Sequence, residues 1–572
     1  MDRLKPFYLL LIVTINTTLL FAQKSESSFL KKNIDIFTSE TIYVSTNNSA
    51  FITGETLLYN MHCLNPIDFK TSTISKVAYI QLISSDKKIV ANQKLFLKNG
   101  LGYGDIFIPT NLNSGHYKLI CYTNWMLNKK EATYFEKDIV IVNPYLTETK
   151  NSISNNSFET TIENTAVNNT SGLQIVTTKK TYSPRDLVKF NVKSNDLIDG
   201  NYSVSVKKMD ELTLKNNLNA ARFSKTNTTS EINKTNLILP ELRGEIISGK
   251  ITSKNNENPI SNISVGISIA GENFIYKATK TNSAGEFFFN IDKEYDTPNA
   301  IVQVIDNNRF EYSIFINELP NINLDNLYFD TNFSLSENAI SIIKERAISS
   351  QIENAYFDSK KDSTFSFKKT KLFYNTLEKQ YILDNYNRFP TLLETITEVL
   401  KEVIYTKNNE KYTVLVNDYN VDFSLSEPTL ILVDGQLIQN VNSILDIKMQ
   451  DIYKVSILQG GYYYGPNLYN GMISLVSKNH DYQIKVNADY MIKTNRITPN
   501  KEKKYFAPEY AITNNIERIP DYRQQLLWLP NYNLKDDITF YTSDIKGTFE
   551  VIIDGFTNEG SPIYMTETFE VK

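Results

Sequence analysis

Short apolar or alternating runs, cut by turn residues, recur about every ten residues through 39–145. No other feature restricts the fold so strongly, because this is the rhythm of stacked β-layers. The runs are Thr41–Ser45, Thr56–Leu64, Lys76–Ser84, Lys94–Leu97, Gly104–Pro109, Tyr117–Thr123 and Phe135–Val142. Side chains alternate across a strand, so Leu57, Tyr59, Met61 and Cys63 share one face, and Tyr117, Leu119 and Cys121 share another. The expected fold class is mainly β: several immunoglobulin-like sandwiches in tandem plus one small α+β unit. Aromatic residues make up 12%, chiefly 35 Tyr and 31 Phe, which suits half-buried strands. A net charge of −4 supplies no basic field for nucleic acid or anionic lipid.

Residues 1–22 are expected to be a secretory signal peptide. Arg3 and Lys5 precede a mostly apolar run from Phe7 to Phe21, and Ala22-Gln23 offers a cleavage site. Thr14, Asn16, Thr17 and Thr18 leave that run too short and polar to span ~30 Å of hydrocarbon. No later segment approaches ~18 continuous apolar residues, so the mature chain is expected to be soluble and exported, periplasmic or associated with the outer membrane, with the cell surface also open. The first sandwich covers 39–145. Its two cysteines, Cys63 and Cys121, either pair as a disulfide or remain two buried thiols. Residues 146–172, rich in Asn, Ser and Thr, are expected to be a linker. Alternation resumes at 173–240, a second sandwich with a polar loop, and 243–318 makes a third. The span 335–482 holds two helices and the α+β unit, and 505–572 closes the chain as a separate terminal sandwich. The helices are expected over Leu335–Phe357, capped by Ser336 with Ile340, Ile343, Ala347 and Ile352 on its apolar face, and over Thr391–Ile404, where Thr391 and Glu394 have the spacing of a capping box.

Within the α+β unit, Thr429–Val433 has the length of a buried strand, and Asp434-Gly435 signals a turn. Gln436–Asp446 has room for one short helix. Asp451–Leu458 alternates, with Tyr453, Val455 and Ile457 on one face; Gly460-Gly461 is expected to break it, and Met472–Val476 makes a further strand.

This ordered set resembles the plug domain of TonB-dependent outer-membrane receptors. The resemblance is carried by Leu432-Val433-Asp434-Gly435, then Asp451-Ile452-Tyr453-Lys454-Val455-Ser456-Ile457-Leu458, then Tyr464-Gly465 and Asn470-Gly471-Met472-Ile473-Ser474-Leu475. It implies a small mixed sheet with helices and no catalysis. The first segment is similar to macroglobulin-type sandwiches, on Gly54-Glu55-Thr56, Ser75-x-Val77-x-Tyr79-x-x-Leu82, Gly100-x-x-x-Gly104, Ile108-Pro109, Gly115-x-Tyr117-x-Leu119, Tyr122-Thr123-Asn124-Trp125-Met126 and Val142-Asn143-Pro144. Residues 173–208 look like a shorter macroglobulin-like sandwich. Gly249, Pro259-Ile260 and Thr281-Asn282-Ser283-Ala284-Gly285-Glu286-Phe287 resemble the carboxypeptidase-regulatory-like fold, which carries no peptidase machinery. Ile519-Pro520-Asp521-x-Arg523, Trp528-x-Pro530, Phe540-Tyr541 and Gly555-x-Thr557-x-x-Gly560 complete a resemblance to exported proteins of the Bacteroidetes. Receptor barrels need many alternating strands of ~10 residues, and none follow the plug-like segment. The resemblance therefore implies a plug-like domain without its own barrel. It further implies an accessory subunit for a separate outer-membrane β-barrel in secretion, barrel assembly or transport, the type IX translocon among them. A structural or adhesive surface protein is the alternative.

Residues of catalytic type are sparse. His62, His116 and His480 are far apart, which disfavours a triad or a His-rich metal site. Neither Cys63-Leu64 nor Cys121-Tyr122 begins a thioester motif. Gly100-Leu101-Gly102-Tyr103-Gly104 mimics a dinucleotide fingerprint but precedes a strand, so a sandwich turn explains it better. No enzyme activity, cofactor, metal or small-molecule substrate is expected. The partner-binding candidates are Asp434, Gly435, Gly460, Gly461, Tyr462, Tyr463, Tyr464 and Gly465. In an extended Tyr462-Tyr463-Tyr464, Tyr463 faces away from its neighbours, so one face packs inward and the other is left for a partner or solvent. A loop with core-facing Tyr464 and no partner role is the competing reading.

Overall fold

The computed structural model describes residues 39–129, 133–146, 173–194, 198–210, 212, 218–226, 237–255, 258–330, 333, 335, 337–365, 379–417, 427–485, 487–510 and 518–572. The signal peptide, nearly all of the linker, and Ser336 lie outside them.

The first sandwich packs a three-stranded sheet, in the order Thr41–Thr46, Thr56–Leu64, Leu101–Phe107, against a five-stranded one. The second sheet runs Ala50–Ile52, Phe135–Val142, Gly115–Tyr122, Val77–Ser84, Ile89–Phe96. The alternation holds: Leu57, Tyr59, Met61 and Cys63 meet Tyr117, Leu119 and Cys121 in one core. Both cysteines are free and buried, so the disulfide alternative is not realised. Burial raises the Cys63 pKa well above the ordinary value, and the nearby Glu40 carboxylate adds to the rise.

The sandwiches are nested rather than strung in tandem. Residues 173–240 and 505–572, expected as two sandwiches, build one. Gly200–Lys208 sits between Gln525–Tyr532 and Gly547–Thr557 in a five-stranded sheet completed by Pro562–Val571 and Thr181–Tyr182. The facing sheet combines Leu173–Thr177 and Leu187–Ser194 with Ile538–Tyr541. The physical reason is burial. Val188, Phe190, Val204 and Val206 have too few partners nearby, and Phe540, Phe549, Val551 and Phe569 supply the missing half of the core.

The third sandwich is closed the same way. Its sheets are Glu286–Ile291, Glu245–Ser253, Tyr312–Ile316 and Ile275–Lys280, Ser264–Ile269, Asn299–Ile305, Met491–Asn495, the last strand lying beyond the 243–318 expected. Phe287 and Phe289 are buried and Phe288 is 45% exposed, as the alternation requires. The α+β unit is inserted before that closing strand.

The sheet of the α+β unit runs Lys379–Ile382, Ile452–Tyr464, Asn467–Ser477, Leu430–Val433, Gln436–Leu437, with Leu430–Val433 parallel to its long neighbour. The helix Leu392–Glu398 starts with the expected capping box, but ends early because Val403–Asn408 pairs with Lys411–Val416 as a hairpin. The stretch expected to hold a short helix contains Gln436–Leu437 and a 3₁₀ turn, Val441–Ile444. The first helix, Glu337–Ala355, does not belong to this unit. Ala339, Ile343 and Ala347 pack on Ala50, Ile52, Val140 and Val142 of the first sandwich, while Ile340 is 38% exposed. Arg346 fastens it, bonding Glu55 (2.6 and 2.9 Å) and Asp210 (3.2 Å).

Buried charges join the sandwiches. Lys94 of the first meets Glu245 of the third at 2.7 Å, and Arg496 and Tyr295 reach the same carboxylate at 2.5 and 2.6 Å. Burial pushes Glu245 upward, but Lys94 and Arg496 outweigh it and hold its pKa below the ordinary value. Glu241 nearby accepts from Tyr79 (3.1 Å) and the Ile246 amide (3.1 Å), yet burial pushes it up to about 8.

Two outcomes are expected. A fragment containing only 505–572 should be unfolded by far-UV circular dichroism, since half its core is absent; a cooperative melt from that fragment would contradict the shared sandwich. Glu241 binds its proton up to about pH 8 in the fold but only to about 4.5 when unfolded, so its contribution is full below 4.5 and is lost as pH rises through 8. The Glu241 contribution to the melting temperature should therefore fall between about pH 4.5 and 8, making the fall smaller in Glu241→Gln. Equal slopes in the two proteins would refute this.

Candidate partner-binding site

The candidate residues divide into two groups with different surroundings. Asp434 and Gly435 form the two-residue turn between Leu430–Val433 and Gln436–Leu437, both at positive φ (+46° and +79°). Asp434 is 1% exposed, and its carboxylate accepts from the Ser477 amide (2.7 Å), the Ser477 hydroxyl (2.6 Å) and the Tyr482 amide (3.1 Å). Gly435 lies on the ring of Phe274 from the third sandwich, where a Cβ would come within 2.3 Å. These two residues seal an internal joint and are removed from the partner-binding set. An Asp-Gly turn is visible in sequence; what it packs against is not.

The other six lie at the end of the hairpin formed by Ile452–Tyr464 and Asn467–Ser477. Gly460-Gly461 does not break the strand. Gly460, at φ +87°, sits in a bulge between the pairs Leu458/Met472 and Gly461/Asn470, after which pairing resumes through Tyr464 and Asn467. The expected face of Tyr453, Val455 and Ile457 is only partly realised: a register shift between Ile452 and Lys454 leaves Tyr453 exposed. Gly465, at φ +57°, turns the chain, with the Ala278 carbonyl oxygen 2.8 Å from where its Cβ would stand.

Beyond the bulge the alternation is as expected. Tyr462 and Tyr464 stack in parallel, ring centres 6.4 Å apart, and Tyr464 stacks on Tyr276 of the third sandwich at 5.2 Å. The Tyr464 hydroxyl donates to the Tyr276 carbonyl, and the Tyr276 and Tyr469 hydroxyls are 3.2 Å apart. Ser264 donates to Asn467 at 2.7 Å. Burial pushes the Tyr464 and Tyr276 phenols above their ordinary pKa, so both stay neutral hydrogen-bonding groups. Tyr463, on the opposite face, is 74% exposed. This geometry presents one aromatic side chain on a ribbon held from behind by three others. It offers a contact surface and no reactive group.

Sequence reasoning missed Phe274 and Tyr276, which complete the site from 161 residues before Gly435 and 188 before Tyr464. Aromatics in a strand-like run were the only signal, and they carry no address. His62, His116 and His480 remain apart, and among the described residues no group of three or more His, Cys, Asp or Glu is placed to hold a metal ion. No described helix is long and apolar enough to cross a membrane.

Together these layers define a mainly β protein of several immunoglobulin-like sandwiches with one smaller α+β unit. No protein-family model and no curated protein sequence matches the chain. Among solved structures, it is similar to Salmonella α2-macroglobulin reacted with methylamine, at 8% identity over 93% of this chain and 23% of that one, TM-score 0.16. It is also similar to Escherichia coli α2-macroglobulin activated by porcine elastase, at 10% identity over 93% and 44%, TM-score 0.23. The Escherichia coli adhesin FdeC matches at 10% identity over 46% and 59%, TM-score 0.14. The chain thus spans less than half of either macroglobulin.

Gly435→Ala should cost roughly 2 kcal/mol or more, from positive φ and the Phe274 contact together. Adding Phe274→Gly, which removes the Cβ at 2.4 Å as well as the ring, should return only the contact part. A Gly435→Ala protein with the parent's denaturation midpoint would contradict this packing.

Proposed function

We propose that this chain is an exported, non-enzymatic envelope protein that binds a protein partner through the end of the tyrosine hairpin. Its partner is an outer-membrane β-barrel or a complex built on one. Export rests on the leader-like residues 1–22, and the barrel on the resemblance to receptor plugs. The observation that carries the binding role is Tyr463, 74% exposed at the tip of a ribbon whose neighbouring tyrosines are stacked behind it. Tyrosine gives a partner large contact area with a polar end at low entropic cost, and a ribbon already clamped loses little further freedom on binding.

One physical argument for a partner is weakened. An uncovered plug-like sheet would demand a foreign wall, but here the third sandwich covers one face and the helix Leu392–Glu398 lies over the other. The partner therefore completes an exposed end and does not enclose the unit. The alternative of an adhesive spacer is disfavoured by the nesting, since folded-back strands provide less reach than sandwiches in a line.

Tyr463→Ala should weaken co-purification of the barrel partner from mild detergent extracts by about tenfold or more, with the melting temperature nearly unchanged. Intact capture with a large loss of stability would reverse the assignment, as would a parent protein found alone in the soluble periplasm.

A further inference from the structure

A cleft of about 290 Å³ opens where the first sandwich, the helix Glu337–Ala355 and the sandwich shared by 173–240 and 505–572 converge, on a different part of the molecule from the tyrosine hairpin. Its apolar wall includes Phe51, Leu58, Phe506 and Trp528. Its volume is near the ~300 Å³ at which small-molecule sites begin.

The charges in the cleft are almost all committed. Arg346 pairs with Glu55 and Asp210, Lys208 with Glu345, Lys360 with Glu353, and Arg523 with Asp521. The Asp362 carboxylate accepts from the Phe506 amide at 2.9 Å. Lys207 is the exception. It lines the cleft, and among the described residues its ammonium makes no hydrogen bond or ion pair within 4 Å. Glu550 stands opposite it in the neighbouring strand and contributes only a longer-range attraction. In the same wall the indole N–H of Trp528 finds no acceptor among the described residues, although the side chain is 96% buried. Lys207 is half-buried, and an ammonium with no bonded carboxylate takes an anionic ligand without first giving up a partner.

We propose that this cleft binds a small amphipathic carboxylate, with its acidic head on the Lys207 ammonium and its apolar body against Phe51, Phe506 and Trp528. A cationic ligand finds no free carboxylate there, because Glu55, Asp210, Glu353 and Asp362 are already bonded. A neutral ligand leaves Lys207 as it was. Burial holds the Lys207 pKa below the ordinary lysine value, and a bound carboxylate would push it back up. The site is independent of partner binding at the hairpin.

The chain has only two tryptophans, Trp125 and Trp528, so a Trp125→Phe protein reports on this cleft alone. Its fluorescence is titrated with 4-phenylbutyrate and with the neutral 4-phenylbutyramide. The acid should give a saturable change, with the amide and the Lys207→Gln protein each about tenfold weaker, the loss of one charge-assisted hydrogen bond. Calorimetry of the parent chain with the same acid and amide makes the comparison if either variant fails to fold. Absence of saturable binding by the acid, or equal binding of acid and amide, overturns the assignment.

Discussion

The structure depends on the strand Gly200–Lys208 finding both of its neighbours more than 300 residues later in the chain. Tyr202 and Val204 pair with Tyr532 and Leu529 on one side and with Gly555 and Ile553 on the other. Closing so long a loop costs little more than closing a short one, because the entropy grows only with the logarithm of length. The apolar surface recovered is large: Tyr202, Val204, Val206, Phe549, Val551 and Ile553 are all excluded from water. Once that pairing is made, everything between residues 209 and 524 is an insertion whose ends are held together. The third sandwich repeats the arrangement, closing around the α+β unit through the pairing of Val302 with Ile492.

Nesting determines what surface remains for function. The sheet of the α+β unit has two apolar faces, and the fold covers both from within the same chain. Leu432, Leu458 and Met472 pack with Phe274 and Tyr276, while Val433, Val455 and Leu475 join the larger core that includes Ile396 and Leu400. Phe274 against Gly435, and Tyr276 against Tyr464, fix the unit at two points. The outward side of the hairpin end is left free. The proposed binding at Tyr463 would use a rigid feature, and the energy of contact would not be consumed in ordering it.

The sequence carried the local content of this fold well. Alternation identified the core faces of Thr56–Leu64 and Gly115–Tyr122, the outward Phe288, the Thr391–Glu394 box and the opposed directions of Tyr463 and its neighbours. Each of these is set by residues within a turn or two. What it could not carry was the pairing of distant segments. Residues 173–208 and 525–571 each look like a small sandwich, because alternation declares that a strand has an apolar face and is silent about which strand will cover it. Glu337–Ala355 reads as part of the wrong unit for the same reason: Ile343 and Ala347 announce a buried stripe, on which Ile340 stands in place of Ala339, but not the first sandwich beneath it. Gly460-Gly461 was taken for a break because glycine permits a bulge and a stop equally, and only the partner strand decides. Cys63 and Cys121 share a core without bonding, a distinction of geometry that spacing does not contain.

Native-state hydrogen exchange read by mass spectrometry tests the nested closure most directly. Peptides from Gly200–Lys208, Gln525–Tyr532 and Gly547–Thr557 should exchange together, with one common denaturant dependence, since no one of these strands can lose its hydrogen bonds without freeing the others. If the C-terminal peptides instead open at lower denaturant than Gly200–Lys208, while the latter stays protected, the two segments are separate domains and the account is wrong.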